Sequence, residues 1–186
     1  KDLTNVHSAQ RNYKPLLFKE FKKIDEVVKL ENRNNFYYPF KEEIHIKENT
    51  YIPKNMDITF DENNVIYFHN NAILFSEGNL NFIGTKENPS RIIGYGKSNG
   101  SLIHYNGSFQ SNNLIVENLS FPNMQQLILY GGINLINSKN KIINTIILNS
   151  SSEDAINIIN SKTYIDELFI KNSFSDAIDV DGGTLS

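Results

Sequence analysis

Apolar and polar residues alternate over short stretches along most of this chain, and towards the C-terminal end the alternation is organised into a repeat. Residues 133–155 are followed directly by a similar segment that begins at Ile156, and a third copy begins at Ile178. The period of about 22–23 residues is typical of solenoid proteins, in which each repeat packs on its neighbours.

Each copy predicts three short β-strands. In the first strand, pairs of apolar residues enclose one polar residue, which is Asn134, Asn157 or Asp179 in successive copies. This period of two indicates a strand with one buried face. Asn, Ser, Gly and Asp fill the breaks between strands, as turns require. A Leu-rich frame and a helical period are both missing. The pattern therefore predicts an all-β fold, a right-handed parallel β-helix with three-stranded coils of about 22–26 residues.

Stacking of coils predicts which side chains lie together. Equivalent residues in successive coils are separated by one strand spacing, about 4.8 Å. We therefore expect Asn137 over Asn160 and Lys139 over Lys162. Stacked Asn amides can hydrogen-bond along a ladder at the coil corners.

The strand pattern begins at Glu43, which predicts a β-helix over residues 43–186 and a separate N-terminal region over residues 1–42. Within that region, apolar residues from Pro15 onward recur at steps of three and four, as in Phe21, Ile24 and Val28. This spacing predicts an amphipathic helix that caps the first coil. The last copy stops soon after its first strand, so we expect further coils, a domain or a subunit at an open C-terminal end.

Composition narrows the classes of function. The net charge of −3 offers no basic surface, so we expect no nucleic-acid partner. The absence of Cys excludes disulfides, thiol catalysis and zinc–thiolate sites. No apolar run has the length of a membrane span. A signal peptide is not visible in this chain.

The segments SSEDAINIINS and SFSDAIDVD, with the strand-rich stretch NNAILFSEGNLNFIGTKENPSRIIG, resemble the pectin-lyase-like right-handed parallel β-helix superfamily. More narrowly, they resemble bacterial β-helix regions associated with CotH-like kinase domains, although no such kinase segment is present. The resemblance covers about three quarters of the chain and implies a secreted or cell-surface protein. The superfamily includes polysaccharide lyases, hydrolases, epimerases and binding modules, and fold alone does not choose among them.

Acidic residues of the last coils form the candidate catalytic group: Asp154, Asp176, Asp179 and Asp181. Asp154 and Asp176 occupy equivalent positions, and Asp179 and Asp181 lie two apart on one strand. Glycoside hydrolysis uses carboxyl pairs about 5–5.5 Å apart for retention or about 6.5–9.5 Å apart for inversion, and the spacing of these residues allows either geometry. Asp179 and Asp181 also suit a Ca²⁺ ion, which prefers oxygen ligands. An alternative role for Asp154 and Asp176 is to cap turn amides.

A binding function requires fewer specific residues than catalysis does. Asn134 and Asn157 are predicted to form an outward polar strip, with Lys139 and Lys162 as further substrate-binding residues. Four tyrosines offer surfaces for sugar stacking, namely Tyr67, Tyr95, Tyr105 and Tyr130. The main hypothesis is therefore a module that binds or scaffolds polysaccharide or cell-surface glycan, for which no cofactor is required. A polysaccharide-active enzyme that uses the acidic group is the alternative, and a purely structural or interaction spacer is the third.

Overall fold

Parallel strands stack coil upon coil through the protein. The structure is a computed structural model that describes residues 20–96, 99–122 and 129–186. The elements, in chain order, are β1 (Lys22–Lys23), α1 (Ile24–Val27), β2 (Leu30–Arg33), β3 (Phe36–Pro39), β4 (Glu43–Ile46), β5 (Thr50–Ile52), β6 (Asp57–Phe60), β7 (Val65–Phe68), β8 (Ile73–Ser76), β9 (Leu80–Ile83), β10 (Ser90–Gly94), β11 (Ser101–Tyr105), β12 (Ser108–Glu117), β13 (Gly131–Ile136), β14 (Lys139–Leu148), β15 (Asp154–Lys171) and β16 (Asp176–Leu185).

The strands form three parallel stacks, which we call the first, second and third sheets. The first sheet contains β1, β5, β8, β11, β13 and the beginnings of β15 and β16. The second contains β3, β6, β9 and parts of β12, β14, β15 and β16. The third contains β4, β7, β10 and the ends of β12, β14 and β15. The protein is thus an all-β parallel solenoid of about six turns.

The register of the repeat agrees with the sequence pattern. Ile133 pairs with Ile156, which pairs in turn with Ile178. Lys139 pairs with Lys162, as expected from the alignment of the copies. The predicted parallel solenoid with three strands in each coil is therefore confirmed.

Apolar side chains from the three sheets fill the interior of the solenoid. Phe60, Phe82 and Phe109 stack along the axis, with ring centroids 4.9 Å and 5.6 Å apart between successive rings. Ile, Leu and Val from the other strands complete one continuous core cluster. Its burial supplies the main favourable free energy of folding.

Asparagine forms the corners between sheets. The chain turns from the first to the second sheet at Asn106, Asn137 and Asn160, which have φ of 69°, 51° and 48°. Asn113 and Asn144 form the next corner, and Asn118, Asn149 and Asn172 form the third. The Nδ2 of Asn172 donates to Oδ1 of Asn149 at 2.9 Å, so an asparagine ladder is present at that third corner.

The predicted N-terminal helical cap is wrong for the described residues. Among the described residues the only helix is α1, with four residues, and an antiparallel hairpin of β2 and β3 follows it. Lys22 and Lys23 pair instead with Thr50 and Tyr51 of the first sheet. The open edge of that sheet offers backbone hydrogen bonds to this segment, so tertiary context overrides the helical spacing. Residues 15–19 of the expected helix lie outside the described residues.

The end of the solenoid is nevertheless covered by this segment. Ile24 is buried in the core cluster, and Val27, Val28, Leu30 and Tyr37 pack against it. At the opposite end, β16 pairs with β15, and the partner expected beyond it stays a prediction. In the ranges that the structure describes, the one helix is far too short to cross a membrane.

Candidate functional site

Asp154, at the start of β15, is the most unusual of the acidic residues. It pairs with Asp176 as the repeat predicted, but only 4% of Asp154 is exposed. Burial raises the pKa of its carboxyl group, and the charges of Asp179, Glu153 and Asp176 add to this effect. The Nδ2 of Asn157 donates to its Oδ2 at 3.1 Å, which opposes the rise in pKa. A carboxyl group with a raised pKa next to other carboxylates is suited to proton transfer.

Asp179 and Asp181 lie on β16, as the two-residue spacing predicted. Asp179 pairs with Asn157 and is half-buried, whereas Asp181 pairs with Ile159 and is exposed. Within the described ranges, no group of three or more His, Cys, Asp or Glu residues is arranged to hold a metal ion. The Ca²⁺ site at Asp179 and Asp181 stays a prediction.

The expected exposure of Asn134 and Asn157 is wrong. They are 0% and 2% exposed, although their alternation with core residues places them on the outer face of the first sheet. They continue an outer row of the first sheet that begins with apolar residues and runs Tyr51, Phe75, Ile103, Asn134, Asn157 and Asp179. A second apolar cluster, which includes Leu129 and Phe21, packs on this outer face. The face is therefore an interior surface over much of its length.

Asn134 uses its side chain to hold the backbone at the beginning of β13. Its Nδ2 donates to the carbonyl oxygen of Gly131 at 2.7 Å, and its Oδ1 accepts from the Gly131 N–H at 3.1 Å. These bonds satisfy buried polar groups. A structural role thus accounts for Asn134, and its contact with a ligand stays a prediction.

Lys139 and Lys162 are stacked and exposed on the second sheet. The corner at Asn137 and Asn160 separates them from the first sheet, which carries Asp154. The structure therefore does not bring these lysines together with the acidic group into one site.

Four ring side chains form an accessible group on the outer face of the third sheet: His45, Tyr67, His69 and Tyr95, here called the imidazole–tyrosine cluster. His45 pairs with Tyr67, and the two rings stack with centroids 5.0 Å apart and planes 15° apart. Tyr95 lies edge-on to Tyr67 at 6.0 Å and contacts the ring of His69 at 4.8 Å. Three consecutive coils therefore contribute to one continuous surface.

The two histidines of this cluster are also bonded to each other. Nδ1 of His45 and Nε2 of His69 are 2.9 Å apart, so one nitrogen donates and the other accepts. Burial, together with the nearby His45 and Lys47, lowers the pKa of His69. Glu43 lies on the other side of His45, with its Oε2 3.9 Å from Nε2. The cluster thus presents aromatic surface and polar ring edges side by side.

Sequence reasoning included Tyr67 and Tyr95 as separate candidates and did not group them with the histidines. The signal was present in the spacing, because Tyr67 follows His45, and His69 follows Lys47, at intervals of 22 residues. That interval equals the repeat period, but the upstream coils are irregular in length and their register is not evident without the structure. Tyr105 lies instead beside the second apolar cluster of the first sheet.

The fold and these surfaces define the class of protein: a parallel β-solenoid of about six turns, with the buried Asp154 and three more accessible Asp residues at one end and a partly exposed ring cluster towards the other. A scan against protein-family models, a search of curated proteins and a search of solved structures each found no match.

Proposed function

We propose that this protein is a carbohydrate-binding module of the extracellular space or cell surface, and that it binds glycan at the imidazole–tyrosine cluster. The observation that carries the proposal is the accessible ring of Tyr95, which is 58% exposed and turned by 89° from the plane of Tyr67. Because Tyr67 is stacked on His45, Tyr95 is perpendicular to that stack. The exposed part of the Tyr95 ring offers apolar surface to a sugar.

The remaining members of the cluster suit the hydroxyl groups of a sugar. Ring nitrogens of His45 and His69 and the hydroxyl of Tyr67 both donate and accept hydrogen bonds. Sites that combine apolar surface with a few placed polar groups are typical of small-ligand recognition. The flat parallel sheet extends along the solenoid axis, so an extended glycan chain has room to continue past the cluster.

We further infer that the solenoid is right-handed and pectin-lyase-like and comes from a bacterial protein. The support is the resemblance of the repeat segments, together with the strong preference of parallel crossover connections for the right hand. Exposed Lys139 and Lys162 on the second sheet suit a second contact with the acidic groups of an anionic polysaccharide.

Binding to neutral and anionic polysaccharides, measured by calorimetry and thermal shift, tests the proposal. We expect Tyr95→Ala to weaken binding about 3–10-fold, since an aromatic contact contributes about 0.5–1.5 kcal/mol. Tyr164→Ala is the matched control, because Tyr164 is 46% exposed but lies on the second sheet. Full binding by Tyr95→Ala, or no binding of any polysaccharide by the parent protein, would contradict the proposal.

A second candidate function is hydrolysis of a polysaccharide by Asp154 and Asp179. The observation that favours it is the buried Asp154 carboxyl, whose pKa is raised by burial and by the charge of Asp179. In this mechanism Asp154 donates a proton to the leaving oxygen and Asp179 activates water. Shortened products that disappear in both Asp154→Asn and Asp179→Asn, while the fold is retained, would support it. Products from either variant at the parent rate would exclude this assignment.

A further inference from the structure

The His45–His69 pair also offers a chemistry beyond the hydrogen bonds proposed for glycan binding. Nδ1 of His45 and Nε2 of His69 are 2.9 Å apart, within hydrogen-bond distance of each other. Neutral imidazole nitrogens are common ligands of transition metals, and a metal ion competes with protons for them. We propose that the His45–His69 pair is a two-point site for a divalent transition metal, with Cu²⁺ or Ni²⁺ preferred and water completing the coordination.

The distance between the nitrogens argues for those metals. With metal–nitrogen bonds of about 2.05 Å, a separation of 2.9 Å corresponds to an angle of about 90° at the metal. This is the angle between adjacent ligands in square-planar or tetragonal geometry, which Cu²⁺ and Ni²⁺ favour. A tetrahedral Zn²⁺ site needs nitrogens about 3.3 Å apart. For both nitrogens to bind one ion, the rings must rotate about their Cβ–Cγ bonds so that the two lone pairs face a common point while the nitrogens stay about this far apart.

Neighbouring side chains contact both imidazole rings and keep them close to each other. His45 stacks on Tyr67, and the ring of His69 contacts Tyr95. Glu43 places a carboxylate 3.9 Å from the other nitrogen of His45, where a short movement would make it a hydrogen-bond partner of a metal-bound imidazole. The rings are therefore already close to one another before metal binds.

Titration of the full chain with Cu²⁺ or Ni²⁺ at pH 7.5, followed by calorimetry, tests the site, and electron paramagnetic resonance counts the nitrogens bound to Cu²⁺. We expect one bound ion with two nitrogen ligands, and Zn²⁺ binding that is weaker than that of Ni²⁺. Loss of an outer partner alone weakens metal sites about 10–100-fold, so His45→Gln and His69→Gln should each weaken binding at least tenfold.

Two controls separate this site from other sources of metal binding. Tyr164→Ala should bind the metal as the parent does, and Ca²⁺ should not compete, because it takes oxygen ligands. Unchanged binding by the double variant His45→Gln/His69→Gln, or a spectrum without two nitrogens, would overturn the proposal. The test contains no glycan, so its outcome is independent of the binding lost in Tyr95→Ala.

Discussion

Asparagine occupies nearly every backbone position in this solenoid that requires a left-handed conformation. Among the residues that the structure describes, thirteen of the fourteen non-glycine residues with positive φ are Asn, and the remaining one is Glu167. The left-handed region costs most residues about 1–2 kcal/mol, whereas the short polar side chain of Asn bonds locally and tolerates it. Left-handed positions therefore account for thirteen of the 28 asparagines in the sequence.

Glu167 breaks this rule at a position equivalent to Asn144 in the preceding coil. We expect Glu167→Asn to raise the free energy of unfolding by about 0.5–1 kcal/mol, because it relieves the strained φ of 57°. Urea denaturation measures the change. Glu167→Gln removes the charge without easing the backbone and should have little effect, so an equal gain in both variants would show that charge is responsible.

His104 is the buried titratable group of the core. It is fully buried in the row of Ser76 and Leu135, and neither ring nitrogen has a hydrogen-bond partner by distance and angle among the described residues. Burial lowers its pKa to about 4 from the usual 6.5, and the nearby Gly107 backbone opposes this only in part. The unfolded chain therefore binds more protons between these pH values.

The pH dependence of stability follows from that difference. Neutral His104 makes its full contribution to the free energy of unfolding above about pH 6.5. This contribution falls as the pH drops towards 4, by about 3 kcal/mol in all. Denaturant unfolding at pH 7, 5.5 and 4.5 measures it. We expect His104→Leu to flatten this slope, while His45→Gln, on an exposed ring, keeps it. If the stability of His104→Leu depends on pH as steeply as that of the parent protein, groups other than His104 cause the pH dependence.

At the level of strands, a buried polar group joins β14 to β15 just beyond the corner at Asn137. Ser138 Oγ donates to Asn140 Oδ1 at 2.9 Å, and Asn140 Nδ2 donates to Thr163 Oγ1 at 2.8 Å. The Oγ atoms of Ser138 and Ser161 are 3.2 Å apart. Because these atoms are buried, the bonds between coils help to specify the register.

Thr163→Val removes one acceptor with little change of shape and leaves the Asn140 amide without that partner. We expect the free energy of unfolding to fall by about 1–3 kcal/mol. The double variant Asn140→Leu/Thr163→Val should lose less free energy of unfolding than the sum of the two single variants. The reason is that the double variant contains no unpaired amide. Additive costs would mean that the two side chains do not depend on each other.

Across the whole solenoid, each inner coil is hydrogen-bonded on both sides. In the first sheet, β11 pairs with β8 and β13, whereas β16 pairs with β15 alone within the described chain. The hydrophobic side chains of β16, such as Val180, are also more exposed. Stability in repeat architectures depends on contacts between neighbouring repeats, so the coils differ in local stability.

Amide hydrogen exchange should reveal this gradient. We expect the backbone amides of β16 to exchange at least about tenfold faster than those of β11, because opening β16 breaks one interface and opening β11 breaks two. Exchange measured by mass spectrometry over minutes to hours gives the comparison. Equal protection of β11 and β16 would indicate a single cooperative unit, or a partner on the outer edge of β16.

Much of the solenoid was readable from local pattern. Alternation at 133–135, 156–158 and 178–180 predicted the first-sheet strands, and the repeat predicted the pairing of Lys139 with Lys162. Both depend only on the two-residue period of a strand and on equal spacing of copies. Burial of Asn134 and Asn157 was not readable, because it depends on the second apolar layer that contains Leu129 and Phe21.

The same division applies to the N-terminal segment and to the proposed site. Steps of three and four residues around Ile24 fit a helix in isolation. In the structure, however, Lys22 and Lys23 form a strand that pairs with the free edge of the first sheet. His45, Tyr67, His69 and Tyr95 are distant in sequence and meet only when three coils of unequal length stack. Local geometry repeats along a chain and leaves a pattern in it, whereas contacts between surfaces arise from packing that no short stretch of sequence contains.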